Sequence, residues 1–184
     1  TLHQKCRPIN AEEIFCDNMT TSHQWVISSE YHVIPRDSTS RCTKPDYHCI
    51  KIMGWNNKDC FMRRVSRNIY KKYTLQFDIA LSDMEDPNYC RIKYSFDGIR
   101  FNTLASYQGN GGSNPTTVRL FNQSFTFNAD TGHYISIQLG ADGDSVDGED
   151  SCYYDNVCLY GNGRSTTTPS DEPPQNPTYD PSID

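Results

Sequence analysis

The chain has 184 residues and a formal net charge of −6, which fits one ordinary domain with a hydrophobic core and a short appendage. Residues 1–73 carry twelve Lys and Arg against seven Asp and Glu, and the remainder carries five against sixteen. This balance excludes a typical nucleic-acid-binding domain, in which basic residues dominate. No apolar run approaches the roughly 20 residues of a membrane-spanning helix, so no direct membrane insertion is expected. The uneven charge is compatible with head-to-tail self-association.

The predicted elements are short strands separated by turn-forming residues, and apolar residues nowhere keep helical spacing over three turns. In chain order the strands are predicted at 25–27, 31–34, 49–53, 61–65, 73–81, 90–96, 100–104, 117–120, 124–127, 134–139 and 152–160. Pro35 is expected to end the second strand, and Asp97-Gly98 is expected to form a tight hairpin turn. Many short strands at intervals of about ten residues indicate an all-β antiparallel sandwich or barrel.

The cysteines are even in number and lack paired C-x-x-C spacing, which disfavours a structural zinc site. They are Cys6, Cys16, Cys42, Cys49, Cys60, Cys90, Cys152 and Cys158. Asn18 and Asn122 each begin an N-glycosylation acceptor sequence. Together these features predict a secreted or cell-surface glycoprotein with up to four disulfides, and a cytosolic thiol-rich protein is the alternative.

The segment from Asp142 to Gly161 begins as an acidic, glycine-bearing loop and ends as a strand. Alternation places Asp155 on one strand face with Tyr153, Val157 and Leu159. An unpaired carboxylate is costly to bury, so Asp155 requires backbone N–H groups, an arginine or a cation as its partner.

Hard-cation chemistry makes the acidic segment a candidate calcium site, because Ca²⁺ binds six to eight oxygen ligands. The candidate ligands are Asp155, Asp17, Asp142, Asp144 and Asp147. The spacing departs from the EF-hand register, and a solvated acidic loop is the alternative interpretation.

A basic segment offers a second candidate site, for sulfated or acidic glycans, since guanidinium groups match sulfate geometry. Its candidate ligand-binding residues are Arg63, Arg64 and Arg67, although alternation on a strand would put Arg64 on the opposite face. Trp55 and Tyr107 are candidate sugar-binding aromatics. For the basic segment, the alternative interpretation is an exposed strand without a ligand. For the aromatic residues, the alternative is that they fill the core, and Trp25 is predicted to lie there.

Several fragments occur in a familiar order: Cys49-Ile50-Lys51-Ile52-Met53-Gly54, the strand at 73–79, the hairpin at 90–98 and the closing Tyr154-Asp155-Asn156-Val157. Over roughly residues 14–161 the chain resembles the extracellular jelly-roll modules of the galactose-binding-like group, including MAM domains and reelin subrepeats. The extra cysteines depart from the MAM pattern.

This resemblance implies a two-sheet antiparallel jelly-roll sandwich, stapled here by disulfides, over residues 1–161. It also implies glycan or protein binding and a structural calcium ion near Asp155. Residues 162–184, rich in Thr, Pro and acidic residues, are expected to form a disordered linker.

The five histidines are scattered and no nucleophile or metalloprotease motif is present. We therefore expect a non-catalytic extracellular recognition module that binds a glycan, with calcium assistance. The alternative is a module for protein–protein adhesion or matrix assembly that binds cell-surface or matrix proteins without sugar.

Overall fold

The computed structural model describes residues 7–19, 24–28, 33–36, 49–54, 58–82, 84, 88–108, 118–143 and 150–165. These residues contain eleven β-strands. The strands are β1 (Glu12–Asp17), β2 (Val26–Ile27), β3 (Val33–Arg36), β4 (Cys49–Met53), β5 (Lys58–Arg67), β6 (Tyr70–Ser82), β7 (Tyr89–Ser95), β8 (Asn102–Tyr107), β9 (Val118–Asn128), β10 (Tyr134–Gly143) and β11 (Ser151–Arg164). None of the described segments forms a helix that could serve as a membrane span.

The strands form two antiparallel sheets, which confirms the all-β, two-sheet prediction. One sheet has the order β3-β4-β11-β6-β9, with β1 added beside β11, and the other has the order β2-β5-β10-β7-β8. Strand β11 pairs with β6 along one side, and with β4 and then β1 along the other. Strand β10 is flanked by β5 and β7, so it pairs on both sides with strands that are distant in sequence.

The core lies between the two sheets and follows the alternation predicted for the longest strands. On β6, every second residue from Tyr73 to Leu81 is at most 1% exposed. In the other sheet, β10 contributes Ile135, Ile137 and Leu139 to the same cluster. Burial of these side chains from both sheets is the main force that holds the layers together.

Two β-bulges break the alternation and correct the predicted faces. Asn156 has φ 50°, and the β11 register shifts between Asp155 and Cys158. Asp155 therefore lies outward, opposite Asp78, and does not share the core face with Val157 and Leu159 as expected. On β9, Asn122 at φ 52° marks a similar shift, so the two strands predicted at 117–120 and 124–127 are one bulged strand.

Three local predictions also need correction. Strand β1 was missed, because its sequence is polar and it gains strand structure by pairing with β11. Pro35 does not end β3, since β3 is an edge strand and a missing N–H is tolerated there.

The connection between β7 and β8 spans residues 96–101 and is wider than the predicted two-residue turn. Asp97 Oδ1 accepts hydrogen bonds from the N–H groups of Ile99 at 2.8 Å and Arg100 at 2.7 Å. These bonds, with that of the Ser95 hydroxyl, lower the pKa of Asp97. The polar side chain thus organises a broader loop that ends at Phe101.

Disulfides staple the sandwich, as predicted. Cys16 is bonded to Cys158, Cys90 is bonded to Cys152, and Cys49 is also disulfide-bonded. The prediction that Cys60 forms a disulfide is wrong. Cys60 lies in the core with its sulfur in the thiol form, and it packs there as a small apolar side chain. The remaining cysteines, Cys6 and Cys42, lie outside the described residues, as does the predicted linker beyond residue 165.

Candidate functional site

The five-stranded sheet turns one side to the core and the other side outward. On β5, Cys60 and Met62 belong to the core, and on β10 Ile137 and Leu139 do, so the alternate residues lie outward. We call the outward side of β5, β10 and β7 the outer face. Its described side chains are Phe61, Arg63, Val65, Arg67, Tyr89, Arg91, Lys93, Ser95, Tyr134, Ser136, Gln138 and Asp142.

Antiparallel register arranges these side chains in rows across the strands. Gln138 pairs with Arg63 on β5 and with Lys93 on β7, so a cation stands on each side of one amide. In the next row, Gly140 pairs with Phe61 and Arg91. Adjacent strands lie about 4.8 Å apart, which brings these six positions within reach of one extended ligand.

Arg63 is held in place by three neighbours. Its Nη2 donates to Gln138 Oε1 at 2.8 Å and its Nε donates to the same oxygen at 3.3 Å. Its guanidinium carbon lies 4.9 Å from the Phe61 ring centroid and 4.3 Å from that of Phe101. Gln138 is only 4% exposed although it lies on the outer face. The cation and the two rings therefore form a pre-organised surface above a buried amide.

Arg91 and Asp142 lie toward one end of the outer face. Arg91 Nη1 is 2.9 Å from Asp142 Oδ2, and the guanidinium carbon lies 5.1 Å from the Tyr89 ring centroid. Asp142 also accepts a hydrogen bond from the Tyr89 N–H at 2.9 Å. The proposed calcium ligand Asp142 thus holds Arg91 and β7 in position.

Asp155 lies on the outward side of the other sheet, beside Asp78, and both are at most 4% exposed. The Asn156 N–H donates to Asp155 Oδ1 at 2.7 Å. The Asn156 side-chain amide donates to Asp78 Oδ2 at 2.9 Å and to Asp155 Oδ2 at 3.2 Å, and the Asn122 N–H donates to Asp78 Oδ1 at 2.7 Å. The carboxylates are thus stabilised by N–H donors from two bulges.

The residues expected to bind calcium together occupy separate environments. Asp17 accepts hydrogen bonds from Trp25 Nε1 at 2.9 Å and from Arg64 Nη1 at 3.4 Å, at the margin of the core. Asp142 and Asp155 lie on the outward sides of opposite sheets, and sheets pack about 10 Å apart. Among the described residues, no three acidic, histidine or cysteine side chains form a metal-binding group. The set therefore does not fit one calcium ion, and Asp144 and Asp147 lie outside the described residues.

The predicted ligand-binding residues divide between the outside and the core. Arg63 and Arg67 lie on the outer face, whereas Arg64 turns inward and stacks 4.1 Å from the Phe15 ring centroid, as the alternation predicted. Burial lowers the Arg64 pKa, and the Asp17 charge opposes that shift. The Arg64 cation therefore stabilises the sandwich and is not available to a ligand on the outer face.

Tyr107 also packs inward, so its ring is not a sugar platform on the outer face. Its hydroxyl donates to Gln123 Oε1 at 3.0 Å, and its ring lies edge-on to Phe77. Burial raises the Tyr107 pKa to about 12.

Trp55 lies outside the described residues. The glycosylation candidates Asn18 and Asn122 are both exposed, and their modification stays a prediction.

Sequence reasoning missed most of the outer face. Lys93, Gln138, Phe61 and Phe101 carry no motif, and they come together only through the β5-β10-β7 order. The basic segment predicted Arg63 and Arg67, and the alternation of Arg91 and Lys93 between core residues of β7 was a further available signal, since it marks an outward basic face.

Comparison with known proteins finds no matching family model and no matching curated protein. Solved structures do match. The CBM22-1 xylan-binding domain of Xyn10C from Paenibacillus barcinonensis has a TM-score of 0.53 at 10% identity, covering 86% of this chain and 100% of that one. The module TmCBM61, solved with β-1,4-galactotriose, has a TM-score of 0.50 at 13% identity, covering 78% and 91%.

The K2 cleaved adhesin domain of Lys-gingipain also matches, with a TM-score of 0.50 at 12% identity, covering 79% of this chain and 96% of that one. At these identities the likenesses establish the fold alone. The chain has the jelly-roll sandwich of carbohydrate-binding modules. The narrower resemblance to MAM domains and reelin subrepeats stays a prediction.

Proposed function

We propose that this chain is an extracellular, non-catalytic recognition module that binds a glycan along the outer face of its five-stranded sheet. The observation that carries the proposal is the Arg63 group, in which a cation is fixed over Phe61 and Phe101 by Gln138. Aromatic rings offer apolar surface to the C–H side of a sugar, and fixed N–H donors bind its hydroxyl groups.

The fold supports this proposal by analogy. Two of the similar structures are a xylan-binding domain and a module in complex with a galactotriose. Because one fold hosts many functions, the analogy only makes glycan binding more expected. The residues of the outer face are what identify a candidate binding site.

Disulfide chemistry supports an extracellular location. Cys16–Cys158 and Cys90–Cys152 join distant parts of the chain, and such bonds persist in oxidising compartments.

A glycan array probed with the full chain tests the function, and a matched pair of variants locates the site. Phe101→Ala removes one ring from the outer face, and we expect binding to weaken by at least about tenfold, as for a central aromatic contact. Phe121→Ala is the control, because Phe121 is 42% exposed on β9 of the other sheet. An array without signal would contradict glycan binding, and equal effects of the two variants would contradict this location.

Adhesion between proteins is the alternative function, and calcium assistance stays a prediction from sequence. Sedimentation at increasing protein concentration would reveal association between copies of the chain. Repeating the array with a chelator would show whether binding depends on calcium.

A further inference from the structure

We infer that the glycan bound by the outer face is acidic, carrying sulfate or uronic-acid groups. This inference rests on the proposed function and adds the class of ligand. It departs from the neutral sugars named for the similar structures, a xylan and a galactotriose.

The charges of the outer face are unevenly placed along the strands. Its described side chains include four cations, which lie in three of the five rows: Arg67 in the first, Arg63 and Lys93 in the third, and Arg91 in the fourth. The second row, formed by Val65, Ser136 and Ser95, is uncharged. The acidic side chain that the structure describes on this face, Asp142, lies in the last row. Most of the face therefore presents positive charge, and the carboxylate of Asp142 is engaged with Arg91.

This local charge is opposite in sign to the charge of the whole chain, which is −6. A polyanion approaching elsewhere meets repulsion on average, whereas the outer face attracts it. The contrast favours binding of a polyanion at the outer face over binding elsewhere on the chain, because the net negative charge repels polyanions on average.

Arg63 and Lys93 provide the geometry for binding an anionic group. They flank Gln138, so their Cα atoms lie two strand spacings, or about 10 Å, apart. Both side chains are long enough to converge above the amide. Arg63 is held by Gln138 and the two rings, so a planar guanidinium is already oriented on the face. Lys93 adds a point charge that follows an acidic group without fixed geometry.

Calorimetric titration of the full chain tests the inference with four probes of equal length: a sulfated heparin-type oligosaccharide, its desulfated counterpart, a neutral xylo-oligosaccharide and a single-stranded oligodeoxynucleotide. We expect the sulfated probe to bind at least about tenfold more tightly than the neutral xylo-oligosaccharide, since each charge-assisted contact contributes about a factor of ten. The desulfated probe keeps its uronic-acid carboxylates and should bind with an affinity between these two. The affinity of the sulfated probe should fall as NaCl rises from about 0.05 M to about 0.5 M, where screening shortens the reach of the charges.

Matched variants then assign the effect to the outer face. Lys93→Gln should weaken the sulfated probe by about three- to tenfold, as the loss of one charged contact does. Lys72→Gln makes the same charge change at an exposed residue of β6 in the other sheet and should leave the affinity unchanged. Arg63→Gln is a second variant, and thermal unfolding of each variant shows that the fold is retained.

The outcomes separate the two proposals. If neutral and sulfated probes bind equally, glycan recognition stands and the acidic class is wrong. If none of the sugar probes binds while the glycan array gives a signal, the acidic class is wrong and glycan recognition stands, whereas an array without signal overturns both. Equal affinity for the oligodeoxynucleotide and the sulfated sugar would also overturn the inference, because the face would then be a general polyanion surface.

Discussion

Tyr73 shows how a polar group is accommodated in this core. Its ring is fully buried, its hydroxyl donates to Asn68 Oδ1 at 2.7 Å, and that hydroxyl accepts from the Tyr70 N–H at 3.3 Å. Asn68 in turn donates to the carbonyl oxygens of Asp130 at 2.9 Å and Gly132 at 2.8 Å. The network therefore ties β6 to the loop before β10. The sequence predicted the buried ring by alternation, whereas the amide partner has no sequence signal.

Burial raises the pKa of Tyr73 to about 12, which gives a testable dependence of stability on pH. The folded state favours the neutral phenol, so its stabilisation is complete below the unfolded pKa of about 10 and is lost as pH rises toward 12. We expect the wild type to lose on the order of 2 kcal/mol of unfolding free energy over that range from this group. Tyr73→Phe should cost about 1 kcal/mol at pH 8 and show a shallower alkaline loss. Urea unfolding at several pH values measures both, and identical pH slopes would contradict the assignment.

At the scale of the element, the bulge in β11 reverses which residues face the core. Cys152 and Tyr154 face the core before it, and Val157 and Leu159 do so after it. The pattern predicted β4, β6 and β7 well because their alternation is unbroken. It failed at β9 and β11, because a single residue with positive φ shifts which alternate residues face the core. An asparagine in a strand is not by itself a sequence signal for a bulge.

Asn156 makes that bulge by its backbone and stabilises it by its side chain, and two substitutions separate these roles. Asn156→Gly removes the amide that bridges Asp78 and Asp155, and we expect a loss of about 2–3 kcal/mol because two buried carboxylates each lose a donor. Asn156→Ala should lose about 1 kcal/mol more, because alanine is strained at φ 50°. Guanidinium unfolding measures both. Equal stability of the two variants would show that the backbone conformation relaxes without the asparagine.

For the whole molecule, composition and alternation could predict two sheets and disulfides, but not which strands become neighbours. The outer face depends on that order: Arg63, Lys93 and Gln138 share a row because β10 inserts between β5 and β7. Long-range pairing is set by burial over the entire core, and a local pattern does not contain it. The same reasoning explains why β1 was missed, since its partner β11 lies at the far end of the domain.

The Cys90–Cys152 bond joins β7 of one sheet to β11 of the other across a separation of 62 residues, so it ties the two layers covalently. Removing it frees a long loop in the unfolded chain, and Cys90→Ala/Cys152→Ala should lower the unfolding free energy by about 3–4 kcal/mol. Cys60→Ala is the matched control, because it trims a buried core cysteine that is in the thiol form, and it should cost about 1 kcal/mol. Chemical unfolding compares the variants, and alkylation of the unfolded wild type followed by peptide mass mapping identifies which cysteines are thiols. Two results would show that hydrophobic burial alone holds the sheets together. One is a double variant that loses no more unfolding free energy than two single buried cysteine-to-alanine substitutions, and the other is alkylation of Cys90 and Cys152 in the wild type.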